Sequence, residues 1–129
     1  MLITASSAAQ ADGLFDALGG MDGVKHVAYR TIELSAKDPR IRVKFKRIKL
    51  ARVQEKLTLQ LCEIAGGPCI YDGDPMGPLH KAMKLTTADF NALVEAMQQA
   101  MREEGIGFSV QNKLVALLAP LHKVIVTVR

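Results

Sequence analysis

Apolar residues recur at helical spacing along most of this chain, and glycine or proline cuts each run short. Val24, Val27, Ala28, Thr31, Ile32 and Ser35 share one face of a helix expected over residues 22–37. Asp38-Pro39 ends it, because proline disfavours helical geometry in the residue before it. Leu50, Val53, Leu57, Leu61 and Ile64 make the stripe of a second helix, over about 47–65, stopped at Gly66-Gly67-Pro68. Thr86-Thr87 supplies a cap for a third, over 87–104, with Phe90, Leu93, Val94, Met97 and Met101 in register and Glu104-Gly105 at its end. The last helix, 109–127, carries Val110, Leu114, Leu117, Leu118, Leu121, Ile125 and Val128 on one face, and Pro120 is expected to bend it. A short helix over 12–18 precedes them all and is stopped by Gly19-Gly20. Residues 1–11 read as a loose extension ahead of one all-α domain over 12–129.

Composition narrows the class. A chain of 129 residues can bury a core without staples. Its 49% hydrophobic and 23% charged content excludes a disordered protein. Four Phe, two Tyr and no Trp leave the core to Leu, Val, Ile and Met, with room for an apolar group that is not a side chain. No apolar run approaches the ~18 residues of a membrane span, and the N-terminus lacks the basic and apolar regions of a secretory signal. A cytoplasmic monomer with no membrane contact is therefore expected. Cys62 and Cys69 form neither CxxC nor CxxCH, which argues against a zinc ribbon and a c-type haem attachment.

The net charge of +4 favours anionic partners without choosing among them. Arg40-Ile41-Arg42-Val43-Lys44-Phe45-Lys46-Arg47-Ile48-Lys49 alternates basic with apolar residues. That pattern suits a short strand, a nucleic-acid contact, or cations facing the carboxylates of a bound cofactor. Only Phe45 interleaves as an aromatic, so nucleic acid is the disfavoured partner.

Between the second and third long helices lies a turn-rich stretch, Tyr71-Asp72-Gly73-Asp74-Pro75-Met76-Gly77-Pro78-Leu79-His80. Loops of this length are usually functional or disordered. This one ends on a histidine, either a metal ligand or a solvated residue at a helix edge. Lys56 lies at the margin of the Leu50–Ile64 stripe beside Val53, and His122 borders the apolar face one turn after Leu118. Met76 and Met83 are weaker ligand candidates, since methionine at such positions usually packs.

In order along the chain, four motifs then carry a resemblance. They are Phe15-Asp16-Ala17-Leu18-Gly19-Gly20, Asp38-Pro39-Arg40 with Phe45, Gly66-Gly67-Pro68 followed by Tyr71, Gly73, Met76 and His80, and Ala119-Pro120-Leu121-His122-Lys123. Over about 14–126 the chain resembles the group-one truncated haemoglobins of bacteria, cyanobacteria and green algae. The resemblance implies a two-over-two helical sandwich around haem b, with His80 as the proximal iron ligand and Phe45 against the ring. Met76 belongs to the frame of that proximal site. His122 matches the histidine that in some cyanobacterial relatives bonds covalently to a haem vinyl group.

The distal side departs from the family. Its Phe-Tyr pair aligns with Thr31-Ile32 and its distal glutamine with Leu57, while Val53 takes another distal position. A wall of Ile32, Val53 and Leu57 gives bound oxygen no hydrogen bond, which argues against slow-release storage and efficient nitric oxide dioxygenation. Lys56 aligns with a position where relatives place a second iron ligand, a histidine or a lysine. As a ligand it must be the neutral amine, which costs about 4–5 kcal/mol at pH 7, offset by desolvation and by the bond to iron. The leading expectation is a haem globin that binds O2, NO or CO, or acts in nitrogen-oxide or redox chemistry with an electron donor or reductase. The alternatives are a five-coordinate oxygen carrier and a haem-free helical protein using Arg40–Lys49 on nucleic acid.

Overall fold

The computed structural model describes residues 13–70 and 84–126, and among these there are six helices, two short 3-10 segments and no strand. The helices are α1 (Leu14–Ala17), α2 (Gly20–Lys37), α3 (Leu50–Ile64), α4 (Thr87–Glu103), α5 (Phe108–Leu118) and α6 (His122–Ile125). Helices α2 and α3 form one layer, α4 and α5 the other, which is the two-over-two all-α sandwich expected. The expected extension over 1–11 lies outside the described residues. So do His80, Met76 and Met83.

Helix α2 holds the layers together. Its buried residues are Val24, Val27, Ala28, Thr31, Ile32 and Ser35, the six that the spacing placed on one face. They enter two clusters. Val24, Val27 and Ala28 join Leu14, Leu18, Leu61, Cys62, Met97, Met101, Leu114 and Leu118 in the larger core. One turn further on, Ile32 meets Ile41, Phe45 and Ala92 in a smaller one. On α4 the buried stripe matches the expected one in part: Met97 and Met101 are buried as expected, and alanines join them. Ala92, Ala96 and Ala100 are buried, at i, i+4 and i+8, whereas Phe90, Leu93 and Val94 stay partly exposed. Three small side chains in line let helix backbones approach closely, while Met97 and Met101 beside them fill the larger core.

The helix ends follow from local chemistry. Gly19 and Gly20 have φ of 100° and 68°, a region that a side chain disfavours, and they reverse the chain from α1 into α2. Thr86 accepts from the Asp89 backbone N–H at 3.0 Å, and the Asp89 carboxylate accepts from the Thr86 N–H at 2.9 Å, a reciprocal cap that starts α4. Residues 42–45 are a 3-10 turn, not a strand: the Lys44 and Lys46 N–H groups reach back three residues, to the Ile41 and Val43 carbonyls. Pro120 splits the last helix: Ala119–Leu121 is a 3-10 turn between α5 and α6.

A covalent link was not legible in the sequence. Cys62, fully buried near the end of α3, is joined to Cys69 across the Gly66-Gly67-Pro68 turn, with Cα atoms 5.8 Å apart. Gly67 sits so close beneath this bridge that a Cβ there would strike the Phe15 ring and the Cys62 sulfur. The link closes a loop with a sequence separation of 7. Removing it by reduction, or by Cys62→Ser with Cys69→Ser, is expected to lower stability by about 2–3 kcal/mol on a chain-entropy estimate. Thermal melts with and without a phosphine reductant measure this; superimposable curves would show that the bond adds nothing.

Candidate cofactor site

Four of the residues singled out in the sequence come together in space. Ile32 of α2 and Phe45 of the 3-10 turn are buried in the smaller cluster, and Val53 and Leu57 of α3 pack against it. Leu50 and Leu93 flank them. Val53, Leu57, Leu50 and Leu93 keep part of their apolar surface accessible, so this wall offers more apolar area than its own packing uses. A flat apolar macrocycle fits such a surface. Haem is compatible with these residues, and its axial donors would be an imidazole or an amine.

The polar side chains next to this wall are engaged elsewhere. Thr31 Oγ1 donates to the Val27 carbonyl at 2.6 Å, and Thr58 Oγ1 to the Gln54 carbonyl at 2.7 Å. Gln54 Nε2 donates to the Tyr29 carbonyl at 3.1 Å, tying α3 to α2. Each follows or precedes a wall residue by one position and turns its donor back to the backbone. Lys56, three residues after Val53, is half-buried on α3.

Residue 45 is held by a link the sequence reading passed over. Lys44 Nζ donates to the Lys84 carbonyl at 2.8 Å and lies 3.7 Å from the Asp89 carboxylate, itself buried at the cap of α4. Lys84 has φ of 52°, a left-handed backbone uncommon for a residue with a side chain. Among ten residues of alternating basic and apolar type, nothing in the sequence distinguished Lys44 from its neighbours. On the other side Arg40 grips Asp38, whose carboxylate also accepts the Arg40 backbone N–H at 2.9 Å; these bonds hold the Asp38 carboxyl below its usual range. Arg40 also pairs with Glu95 of α4 at 3.2 Å. The 3-10 turn is thus fastened to α4 at both ends.

His122, half-buried at the start of α6, meets Phe90 edge to face with centroids 5.1 Å apart, and its Nε2 lies 3.3 Å from Thr87 Oγ1. It is set against the first turn of α4, not against the wall of Ile32 and Val53. Among the described residues no group of three or more His, Cys, Asp or Glu is arranged to hold a metal ion. The candidate iron ligand His80 and its neighbour Met76 lie outside those residues.

A two-layer helical sandwich with an apolar wall between α2, α3 and α4 is the architecture of a globin. The family model of bacterial-like globins matches residues 13–127, and the chain belongs to that family. It is 26% identical over 110 residues to the group 1 truncated hemoglobin of Tetrahymena pyriformis, covering 85% of this chain and 91% of that one. It is 27% identical over 93 residues to the group 1 truncated hemoglobin GlbN of a Nostoc species, covering 72% and 79%. The crystal structure of the Tetrahymena pyriformis truncated hemoglobin in its Fe(III) form superposes with a TM-score of 0.84 at 25% identity, over 88% of this chain and 97% of that one. Membership implies a haem cofactor and diatomic gas ligands. No described helix is long and apolar enough to cross a membrane.

The Lys44 link can be tested directly. Lys44→Met leaves the Lys84 carbonyl and the buried Asp89 without their cation and is expected to cost about 1–2 kcal/mol. Lys46→Met, at an exposed position, should stay within about 0.5 kcal/mol of the parent. Denaturant unfolding of both variants gives the comparison, and equal losses would show that the link is not special.

Proposed function

We propose that this globin holds haem b between His80 on the proximal side and Lys56 on the distal side, and that it works in nitrogen-oxide or redox chemistry rather than oxygen storage. When bound, haem supplies an iron centre that takes a diatomic gas and changes oxidation state by one electron. The observation that carries the reading is the distal wall. Ile32, Phe45, Val53 and Leu57 have no hydrogen-bond donor in their side chains, neighbouring Thr31 and Thr58 spend theirs on backbone carbonyls, and Gln54 turns its amide nitrogen to the Tyr29 carbonyl. Oxygen gains from a donor when bound, because its outer atom carries negative charge; carbon monoxide and nitric oxide depend on one far less. A wall of this kind favours the latter two.

Lys56, half-buried at the margin of the stripe, is the distal side chain proposed to supply a lone pair to the iron. To serve as a ligand it must give up its proton, a cost of about 4–5 kcal/mol at pH 7 that the bond to iron must offset. His122 is the residue proposed to tether the cofactor, through an imidazole nitrogen at a vinyl group. Its contacts with Phe90 and Thr87 hold the ring in a defined orientation, which a tether requires. Cycling between oxidation states also calls for an electron donor, and a reductase is the partner proposed. The setting proposed for this chemistry is the cytoplasm.

Two measurements test the reading. Ferric protein at neutral pH should show a low-spin spectrum that becomes high-spin in Lys56→Ala. A parent already high-spin, with a stable oxygen complex and slow autoxidation, would favour a simple five-coordinate oxygen carrier instead. Acid extraction into butanone should leave haem on the parent chain and release it from His122→Ala, with intact mass spectrometry reporting the adduct. Complete release from the parent, after a reduction and reoxidation cycle, would remove His122 from that role.

A further inference from the structure

The positive charge of this protein is concentrated in one place. Seven of its 17 Lys and Arg fall within residues 40–52, with no Asp or Glu among them. The other ten basic residues face all 13 acidic ones, so the rest of the chain carries −3 against a total of +4. Within the stretch the cations divide by structure. Arg40 is committed to Asp38 and Glu95, and Lys44 to Asp89 and the Lys84 carbonyl. Arg42, Lys46, Arg47 and Lys49 are exposed and form no ion pair with any acid among the described residues.

These four lie on and just after one tight turn. Backbone N–H groups of Lys44, Lys46 and Ile48 reach back three residues, to Ile41, Val43 and Phe45, so the chain advances with about three residues per turn. Val43 and Lys46, three apart, therefore share one side, while Phe45 is turned into the smaller cluster. Val43 is 58% exposed, one of few large apolar side chains left so open. An aliphatic centre with a rim of cations is the form of a protein-binding patch. The same turn carries Phe45, which is buried with Ile32 in the cluster that Val53 packs against.

We propose that Arg42, Lys46, Arg47 and Lys49, around Val43, form the docking site for an acidic electron-donor protein, which delivers one electron to the haem across Phe45. This rests on the haem reading above and names the partner that reading requires. A flavin donor fits the chemistry: its hydroquinone anion loses one electron to become the neutral semiquinone, ferric haem becomes ferrous, and no proton moves. Nucleic acid fits the patch less well, because stacking on bases needs exposed aromatic rings and the stretch's one aromatic, Phe45, is buried. The opposite sign of the remaining surface orients the protein in the field of an acidic partner, which raises the encounter rate.

The test uses haem-loaded protein, its haem content fixed first by spectrum, and a flavodoxin as the acidic FMN donor. Binding is followed by titration and reduction by stopped flow, from about 20 to 300 mM salt, a range over which surface charge becomes screened. The triple variant Lys46→Glu, Arg47→Glu and Lys49→Glu should weaken binding and slow bimolecular reduction by at least about tenfold at low salt, and lose most of the salt dependence. Val43→Ser should weaken binding with the salt dependence intact. Circular dichroism and an unchanged rate with a small-molecule reductant guard against misfolding. Parent and triple variant that bind the flavodoxin alike would overturn the proposal. So would tighter parent binding to a DNA duplex, an RNA oligomer or phosphatidylserine vesicles, lost in the same variant. Failure to take up haem would instead remove the reading beneath it, while the titration would still report on docking.

Discussion

Everything in this fold depends on α2 being buried along one side between two other helices. That side has to serve two neighbours at once, and its residues are graded for it: Val24, Val27 and Ala28 fill the main core, and Ile32 passes into the smaller cluster one turn later. Close approach to α4 is possible because α4 offers Ala92, Ala96 and Ala100 on the facing side. A larger residue at any of the three would push the layers apart or force its neighbours off their preferred rotamers. Exposed ion pairs such as Arg30 with Glu103, at 2.8 Å, bridge the same two helices but contribute little by comparison, since water screens them. The wall proposed for the cofactor is thus a by-product of helix packing: where α2 passes from the main core to the smaller cluster, Val53 and Leu57 of α3 stay partly uncovered.

Much of this was legible in the sequence. The face of α2 was read residue for residue, because a helix with an apolar stripe between two proline or glycine stops has few other solutions. The resemblance put Ile32, Val53 and Leu57 in one wall and Phe45 against the cofactor, and Val53 and Leu57 pack against the cluster that holds Ile32 and Phe45. Other features were hidden for identifiable reasons. The alternation in Arg40–Lys49 is ambiguous between a strand and a three-residue turn until the hydrogen bonds are seen. On α4 the eye follows Phe90, Leu93 and Val94, yet closeness of approach selects alanine. The pairing of Cys62 with Cys69 needs the reversal at Gly66-Gly67-Pro68, which brings together two residues that no metal or redox motif connects. The roles of His80 and Met76 rest on the motifs alone, since both fall outside the described residues.

The two basic residues that flank Phe45 in sequence have opposite fates, and this organises the site's outer side. Lys44 turns inward to fasten the turn to the start of α4, whereas Lys46 stays in solvent. Alternation at this point separates a structural cation from a surface one within two positions. A stretch that looks uniform as composition is therefore divided into an anchor and an exposed patch by a change of backbone geometry alone.

The break at Pro120 has a similar geometric effect further along. Three residues at 3-10 spacing rotate the chain by about 120° each instead of about 100°, so by His122 the helix has gained about 60° of phase. They also add roughly 1.5 Å of rise over an unbroken α-helix. His122 therefore does not continue the line of Leu114 and Leu118 into the core; it is delivered round the side, edge-on to Phe90 and level with the first turn of α4. Proline here acts as an angular offset, setting the bearing of one imidazole without altering any residue near it.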